Sequence, residues 1–334
     1  MGPKLEARSG LRVLVVSASL AAIGLSLPAL AKNTGLIYIT SEKSSTLTVL
    51  NLNNELVKTV KTCARPRGMH YDATRTKLII ACGDDDTIAV YDMASLKLIK
   101  RYRDIKDPET FALHPDGKHI YISNEDDSES SVLDLETGEL TAHFPTGAEP
   151  EGVQMMADGK RVWVAAEAAN LVHVIDVDKS VVIQNIVTDT RPRRFALAPG
   201  EKEIWVSAEI AGVVDIIDTT TYQQIGRIEF LPPGVLREQV TPVDLLMTKD
   251  GKKAYVSLGR ANHVAVVDVA SRKVLDYILV GQRPWGLQLN KDDSRLYVAN
   301  GLSDDVTVVD TSNDQPIISV PAGQIPYGII VDDQ

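Results

Sequence analysis

Three residue markers recur along this chain at nearly constant intervals, and no other feature constrains its fold as strongly. Prolines that open a short apolar run fall at Pro66, Pro108, Pro150, Pro192, Pro242, Pro284 and Pro326, so successive steps are 42 residues except for one of 50. A second series sets Tyr38, Ile79, Tyr121, Trp163, Trp205, Tyr255 and Tyr297 inside β-branched runs such as IYIT, VWVA and LYVA. A third closes the next run with Asn51, Asp92, Asp134, Asp176, Asp218, Asp268 and Asp310. Seven copies of three markers establish an internal repeat before any secondary structure is assigned.

Within one copy the pattern is that of strands: runs of four to six Val, Ile, Leu and Tyr residues, punctuated by turn residues. HPDGK (114–118), MADGK (156–160), TKDGK (248–252) and NKDDS (290–294) separate the first and second runs, and their Asp and Gly supply hairpin turns. A third run and a weaker fourth follow, so each copy reads as a four-stranded antiparallel unit. Such a unit repeating every 40 to 45 residues is the signature of a propeller blade. The first copy begins with a second-type strand (36–40), while the chain ends with a lone first-type strand (326–333). The expected fold is therefore all-β: a seven-bladed β-propeller, its ring closed by the C-terminal strand joining the N-terminal blade, which leaves no exposed edge.

Residues 1–31 differ in kind. Lys4, Arg8 and Arg12 precede the apolar run at 13–27, and Ala29 and Ala31 follow it. That layout is a cleaved secretory signal, and the apolar run is shorter than the roughly 20 residues that a spanning helix needs. The expectation is a leader over 1–31 and a single propeller domain over 32–334, exported to the periplasm without a membrane span. The formal net charge of −10 argues against nucleic acid as the main partner.

Strand polarity decides which residues share a face. Loops that open with the repeat prolines, and the polar loops after the YVAN-like strands, gather on one side of the ring, beside the mouth of the central channel. Flanking the prolines there are Arg65 and Arg67, Asp107 and Glu109, Glu149 and Glu151, Arg191 and Arg193, Thr241 and Val243, Arg283 and Trp285, and Ile325 and Tyr327. The charged and aromatic members make Arg65, Arg67, Glu109, Glu149, Glu151, Arg191, Arg193, Arg283, Trp285 and Tyr327 the candidate ligand- or partner-binding residues. Pairing of Arg and Glu between neighbouring blades is the plainer alternative. Arg194 and Asp244 also stand where Gly68, Gly152, Gly286 and Gly328 occupy other copies. The 50-residue step comes from an insertion in FLPPGVLREQVTP (230–242), whose Phe230, Leu231 and Val235 suggest a lid or docking surface on the same face.

Cys63 and Cys82 are the only cysteines, and in an oxidising compartment a disulfide between them is expected. No CxxCH segment is present, so no covalent c-type haem is expected, and no other cofactor. The acidic loops at 83–87, 124–130 and 302–306 lack the ligand order of calcium loops. The six histidines show no metal-binding spacing, so no metal site is expected. His70 alone falls in a channel-lining strand.

The segments LYVANGLSDDVTVVD, IYISNEDDSESSVLD and CARPRGMHYD carry a pattern that resembles the YVTN-repeat β-propellers over residues 34 to 334. The wording is most similar to the propellers associated with pyrroloquinoline quinone (PQQ) dependent catabolism. That resemblance implies a non-catalytic accessory beside periplasmic alcohol oxidation, with a quinoprotein dehydrogenase or a cytochrome c as partner and the chain itself a monomer. Propellers host many activities. An enzyme of the lactonase or quinoprotein amine dehydrogenase type stays open as a second class, and a structural envelope repeat protein as a third.

Overall fold

The computed structural model describes residues 1–2 and 33–333; the expected leader, apart from its first two residues, lies outside the described residues. Seven four-stranded antiparallel sheets follow one another round a ring. Blade 1 combines Leu36–Ser41, Thr46–Asn51 and Leu56–Lys61 with the C-terminal strand Pro326–Asp332, which becomes its innermost strand. The innermost strands of blades 2 to 5 are Pro66–Tyr71, Pro108–Leu113, Pro150–Met155 and Pro192–Leu197. Those of blades 6 and 7 are Leu245–Met247 and Pro284–Leu289.

Closure pairs the two ends of the chain. Leu36 lies opposite Asp332, Ile37 opposite Val331 and Tyr38 opposite Ile330. Thr34 secures this junction: its backbone N–H and hydroxyl both donate to Asp332 Oδ2, at 2.6 and 2.7 Å. The strand left without a partner at each end of the sequence is thereby paired, as edge-strand physics requires.

The burial pattern explains why the second and third strands of each blade read as continuous apolar runs. Both of their faces are covered by adjoining blades: in Lys77–Cys82 every residue after the first is buried, and in Thr87–Asp92 every residue before the last. Outer strands are largely exposed, with alternation clearest in Val181–Val187. The core is thus a set of layers between blades. One joins Ile79, Ala81, Ile88 and Val90 of blade 2 to Phe111, Ile120 and Ile122 of blade 3. Trp163, Trp205, Tyr38 and Tyr255, from the second marker series, are among the largest fully buried side chains.

The third series has a turn function. Asp134 Oδ1 accepts the backbone N–H groups of Glu136 and Thr137 at 2.7 and 3.0 Å, and Asp218 does the same for Thr220 and Thr221. These Asx turns reverse the chain between the third and fourth strands. The Cys63–Cys82 disulfide is formed, with 5.7 Å between Cα atoms, and ties the entry of blade 2 to the end of its second strand.

The 230–242 insertion departs from expectation. Phe230 is 2% exposed and packs with Val240 in the blade 5–6 core, with Val235 against them. These side chains anchor the insertion. Leu231 and Leu236 are the ones left outside, at 58% and 60% exposure.

Candidate functional site

Six of the seven innermost strands start from a sharply turned residue; the exception is Leu245–Met247 of blade 6. Arg65, Asp107, Glu149, Arg191, Arg283 and Ile325 all have positive φ, between 32° and 66°. Left-handed backbone is unfavourable for such residues. A repeated hydrogen bond holds it here: the carbonyls of Arg65, Asp107, Glu149, Arg191, Arg283 and Ile325 accept from the backbone N–H of Gly83, Glu125, Glu167, Glu209, Gly301 and Glu42. A bulge follows at each proline strand, as between Pro150 and Val153. The residue after the proline is consequently set at the neck of the channel.

Seven such residues ring that neck: Tyr327, Arg67, Glu109, Glu151, Arg193, Val243 and Trp285 in blade order. Its two halves differ. Arg67, Glu109, Glu151 and Arg193 are charged and buried, while Val243, Trp285 and Tyr327 are apolar or aromatic. The rings of Trp285 and Tyr327 meet edge to face with centroids 5.4 Å apart.

Glu151 is the hub. Its carboxylate accepts from the Tyr327 hydroxyl at 2.6 Å and lies 3.1 Å from Arg193, 3.0 Å from Arg194 and 3.5 Å from Arg67. Burial alone would push its pKa up, but Arg193, Arg194 and Arg67 outweigh that and hold it well below the usual carboxylate range. Glu109, with 0% exposure, pairs with Arg67 and lies 2.9 Å from Arg65. Arg67 also reaches Glu42 at 3.0 Å and stacks over the Tyr327 ring. On the far side Arg193 lies 3.0 Å from both Glu167 and Glu209, and Arg191 lies 2.6 Å from Glu167 and 3.0 Å from Glu209. Burial and the nearby charge of Glu151 outweigh Arg193 and Arg191 and push the Glu167 carboxyl up to about 8.

Below this network lies a cavity of about 200 Å³ lined by His70, Phe111, Arg194, Phe195, Asp244, Trp285, Tyr327 and neighbouring innermost-strand backbone. His70 stacks edge to face on Phe111. His70 stays open to solvent through the channel, and the protein packed around it, with the Arg194 charge, pushes its pKa down. Asp244 accepts the backbone N–H groups of Leu245 and Leu287, both at 2.9 Å, linking blades 6 and 7.

The structure brings Arg65, Arg67, Glu109, Glu149, Glu151, Arg191, Arg193 and Tyr327 into one ion-paired array. Arg283 is peripheral, 3.8 Å from Glu209 and over the Trp285 ring. Sequence reading misses Glu42, Glu167 and Glu209, though a signal is present. They fall at one repeat position, immediately after the YVAN-like strands, that also holds Gly83, Glu125, Gly259 and Gly301. The replacement of glycine by Arg194 does point to the site: its guanidinium enters the channel and touches both Glu151 and Tyr327.

Two clusters among the described residues have the donor types of a metal site. Asp107, Glu109 and Glu125 converge at the mouth, where Arg65 already opposes Asp107 and Glu109. His114, Asp116 and His119 converge at the hairpin turn on the opposite face. The linear spacing of the histidines does not show this second grouping, because a hairpin reversal joins residues that a linear pattern keeps apart.

Comparison with known proteins agrees with this architecture. A family model described as YNCE-like beta-propeller matches residues 16–195, and one for the choice-of-anchor I domain matches residues 127–298. No curated protein matches the sequence. Among solved structures, hydrazine synthase of Kuenenia stuttgartiensis superposes with a TM-score of 0.70 at 21% identity, covering 79% of this chain and 88% of that one. A protein from Lactobacillus plantarum gives 0.76 at 16% identity, covering 88% and 98%. Dihydro-heme d1 dehydrogenase NirN gives 0.69 at 13%, covering 91% and 78%. At these identities the likeness is one of fold.

Proposed function

Since this chain belongs to the YNCE-like β-propeller family, with its loops gathered round a channel mouth, we propose that it is an exported binding protein whose mouth face docks a protein partner. One observation carries this reading: the inner ring of charges is sealed by its own pairs, while the rim around it is left partly open. Arg65, Arg191 and Arg283 keep part of their side chains in solvent, and Glu149 more. On the same face Ile210, Leu231, Leu236 and Leu302 stand 58% to 65% exposed. Apolar side chains within a polar, arginine-bearing rim are what protein interfaces use.

The sequence resemblance supports a partner in PQQ-dependent alcohol oxidation, either a quinoprotein dehydrogenase or its cytochrome c. Glu109 and Glu151 are committed to arginines, which favours binding over a lactonase role, where a carboxylate must be available as a base. The acidic net charge of the chain would steer a basic partner and make association salt-sensitive.

The test is affinity capture by residues 32–334 from a periplasmic extract of alcohol-grown cells, at low and moderate salt, beside a Leu231→Asp/Leu236→Asp variant. Salt-sensitive recovery of a quinoprotein dehydrogenase or cytochrome c, lost in the variant, is the expected result. Recovery that the variant leaves unchanged would move docking off this rim, and no recovery at either salt would end the accessory reading.

A further inference from the structure

The hairpin between the first two strands of blade 3 carries chemistry that the repeat does not need. His114 and His119 face each other across it, joined by the His114 N–H to His119 carbonyl bond at 2.9 Å. Residues directly opposite in an antiparallel pair place their side chains side by side. The corresponding pairs in other blades are Asp72 and Lys77, Met156 and Arg161, Ala198 and Glu203, Thr248 and Lys253, and Asn290 and Arg295. None of these has an imidazole.

The turn aims a carboxylate between the two rings. Gly117, at φ +70°, allows the chain to reverse immediately after Asp116. Asp116 Oδ1 accepts the backbone N–H groups of Lys118 and His119 at 2.7 and 3.1 Å, the usual work of aspartate in such a turn. Oδ2 is left to the side chains, 2.7 Å from His119 Nδ1 and 3.0 Å from His114 Nδ1.

His114 offers the cluster a second ring nitrogen. His114 Nε2 lies 3.1 Å from the carbonyl oxygen of Gly159 in blade 4. A carbonyl only accepts, so Nε2 carries the proton and neutral His114 presents a bare Nδ1 lone pair. That lone pair takes a backbone N–H from Asp116 at 3.2 Å and also faces Oδ2. A metal ion held by both atoms would replace the long Asp116 N–H contact, and with His119 Nδ1 it would meet three converging donors.

We propose that His114 Nδ1, His119 Nδ1 and Asp116 Oδ2 bind one divalent transition-metal ion of the zinc and copper class. Two imidazoles with one carboxylate favour those ions over magnesium or calcium, which select all-oxygen sites. Ligand atoms at zinc distances of about 2.0–2.2 Å sit roughly 3.3 Å apart in a tetrahedron, which the two Asp116 spacings of 2.7 and 3.0 Å approach and the 4.8 Å bound on all three allows. For His114 the surroundings match the second layer of a metal site, in which a ligating histidine gives its other nitrogen to a carbonyl or carboxylate; His119 has only a longer-range carboxylate neighbour. His114 uses Gly159, and His119 Nε2 lies 3.9 Å from Asp134 Oδ2. Three protein ligands leave a coordination position open, beside a cavity lined by Tyr121, Thr141 and Phe144.

The experiment uses residues 32–334 carrying a purification tag free of histidine, stripped with chelator and titrated separately with Zn²⁺ and Mg²⁺. Calorimetry and metal analysis after dialysis should give one zinc equivalent for the wild type and for His143→Gln, whose imidazole lies elsewhere, with no retained magnesium. Asp116→Asn and His119→Gln should each fall to none. His119→Gln keeps the His114 to Gly159 contact, and its circular dichroism and Tm establish that it is folded. Zinc should raise the Tm of the wild type and leave that of His119→Gln unmoved. Absence of stoichiometric zinc in the wild type, or binding equal in wild type and His119→Gln, overturns the proposal and leaves a hydrogen-bonded turn.

Discussion

The Tyr327 hydroxyl donates to Glu151 at 2.6 Å, and this bond spans the channel from the C-terminal strand of blade 1 to the innermost strand of blade 4. It connects the strand that closes the ring to the hub of the mouth network. A hydrogen bond to a charged group contributes about 1.5–3 kcal/mol. Tyr327→Phe keeps the ring that packs against Trp285 and Arg67, so urea denaturation should show a loss of about 2 kcal/mol. An unchanged midpoint would mean that closure owes nothing to this contact.

Removing the hub should cost more. Glu151 faces Arg67, Arg193 and Arg194 at once, and stripping one partner from a buried ionic array destabilises by about 3–5 kcal/mol. Glu151→Ala is expected in that range, whereas Glu149→Ala, two residues earlier on the rim and with a partly exposed side chain, should stay within about 0.5 kcal/mol. Equal effects at the two sites would contradict the division into a sealed ring and an open rim.

Acidity should act on Glu167 and Glu151 with opposite signs. Burial pushes Glu167 up to about 8, against about 4.3 in an unfolded chain. The folded protein therefore binds the extra proton in that window, so the Glu167 contribution is full below about pH 4.3 and is lost as pH rises to about 8. Its slope is at most about 1.4 kcal/mol per pH unit. Glu151 is held low, so its contribution is present above the ordinary carboxylate range and is lost as pH falls. Chemical denaturation of wild type and Glu167→Gln from about pH 5 to 8 should show a flatter decline in the variant. Parallel curves would refute the shift.

Neighbouring innermost strands approach too closely at Gly152 to admit a side chain. A Cβ there would stand 2.0 Å from the Arg193 carbonyl oxygen. Overpacking costs roughly 1–3 kcal/mol, and Gly152→Ala should fall at the upper end, about 3 kcal/mol by urea midpoint. Thr110 fills the matching position in blade 3 and is buried there, so the constraint belongs to individual blades. A neutral Gly152→Ala would show that the strands can part.

The 42-residue step makes the ring, the strand order and the closing strand legible, because the markers play the same physical parts from blade to blade, save that Pro242 of blade 6 precedes its strand and starts no bulge. Proline starts the bulge, tyrosine or tryptophan fills the space between blades, and aspartate makes the Asx turn. Arg65, Arg67, Glu109, Glu151 and Arg193 are legible as neighbours for the same reason. Their pairing is not, since a one-dimensional repeat gives the ring order and says nothing of which side chain reaches across it. Phe230 misleads because the 230–242 insertion lies outside the repeat and makes its own core contact. His114, Asp116 and His119 escape because their convergence depends on where a turn aims its carboxylate.

Docking at the mouth is the central claim, and hydrogen exchange tests it most directly, comparing residues 32–334 alone and saturated with the partner recovered by capture. Slowed exchange confined to residues 209–212, 230–241 and 301–304 is the predicted result. Slowing confined to the hairpin turns of the opposite face, around residues 114–119 and 156–161, would contradict it.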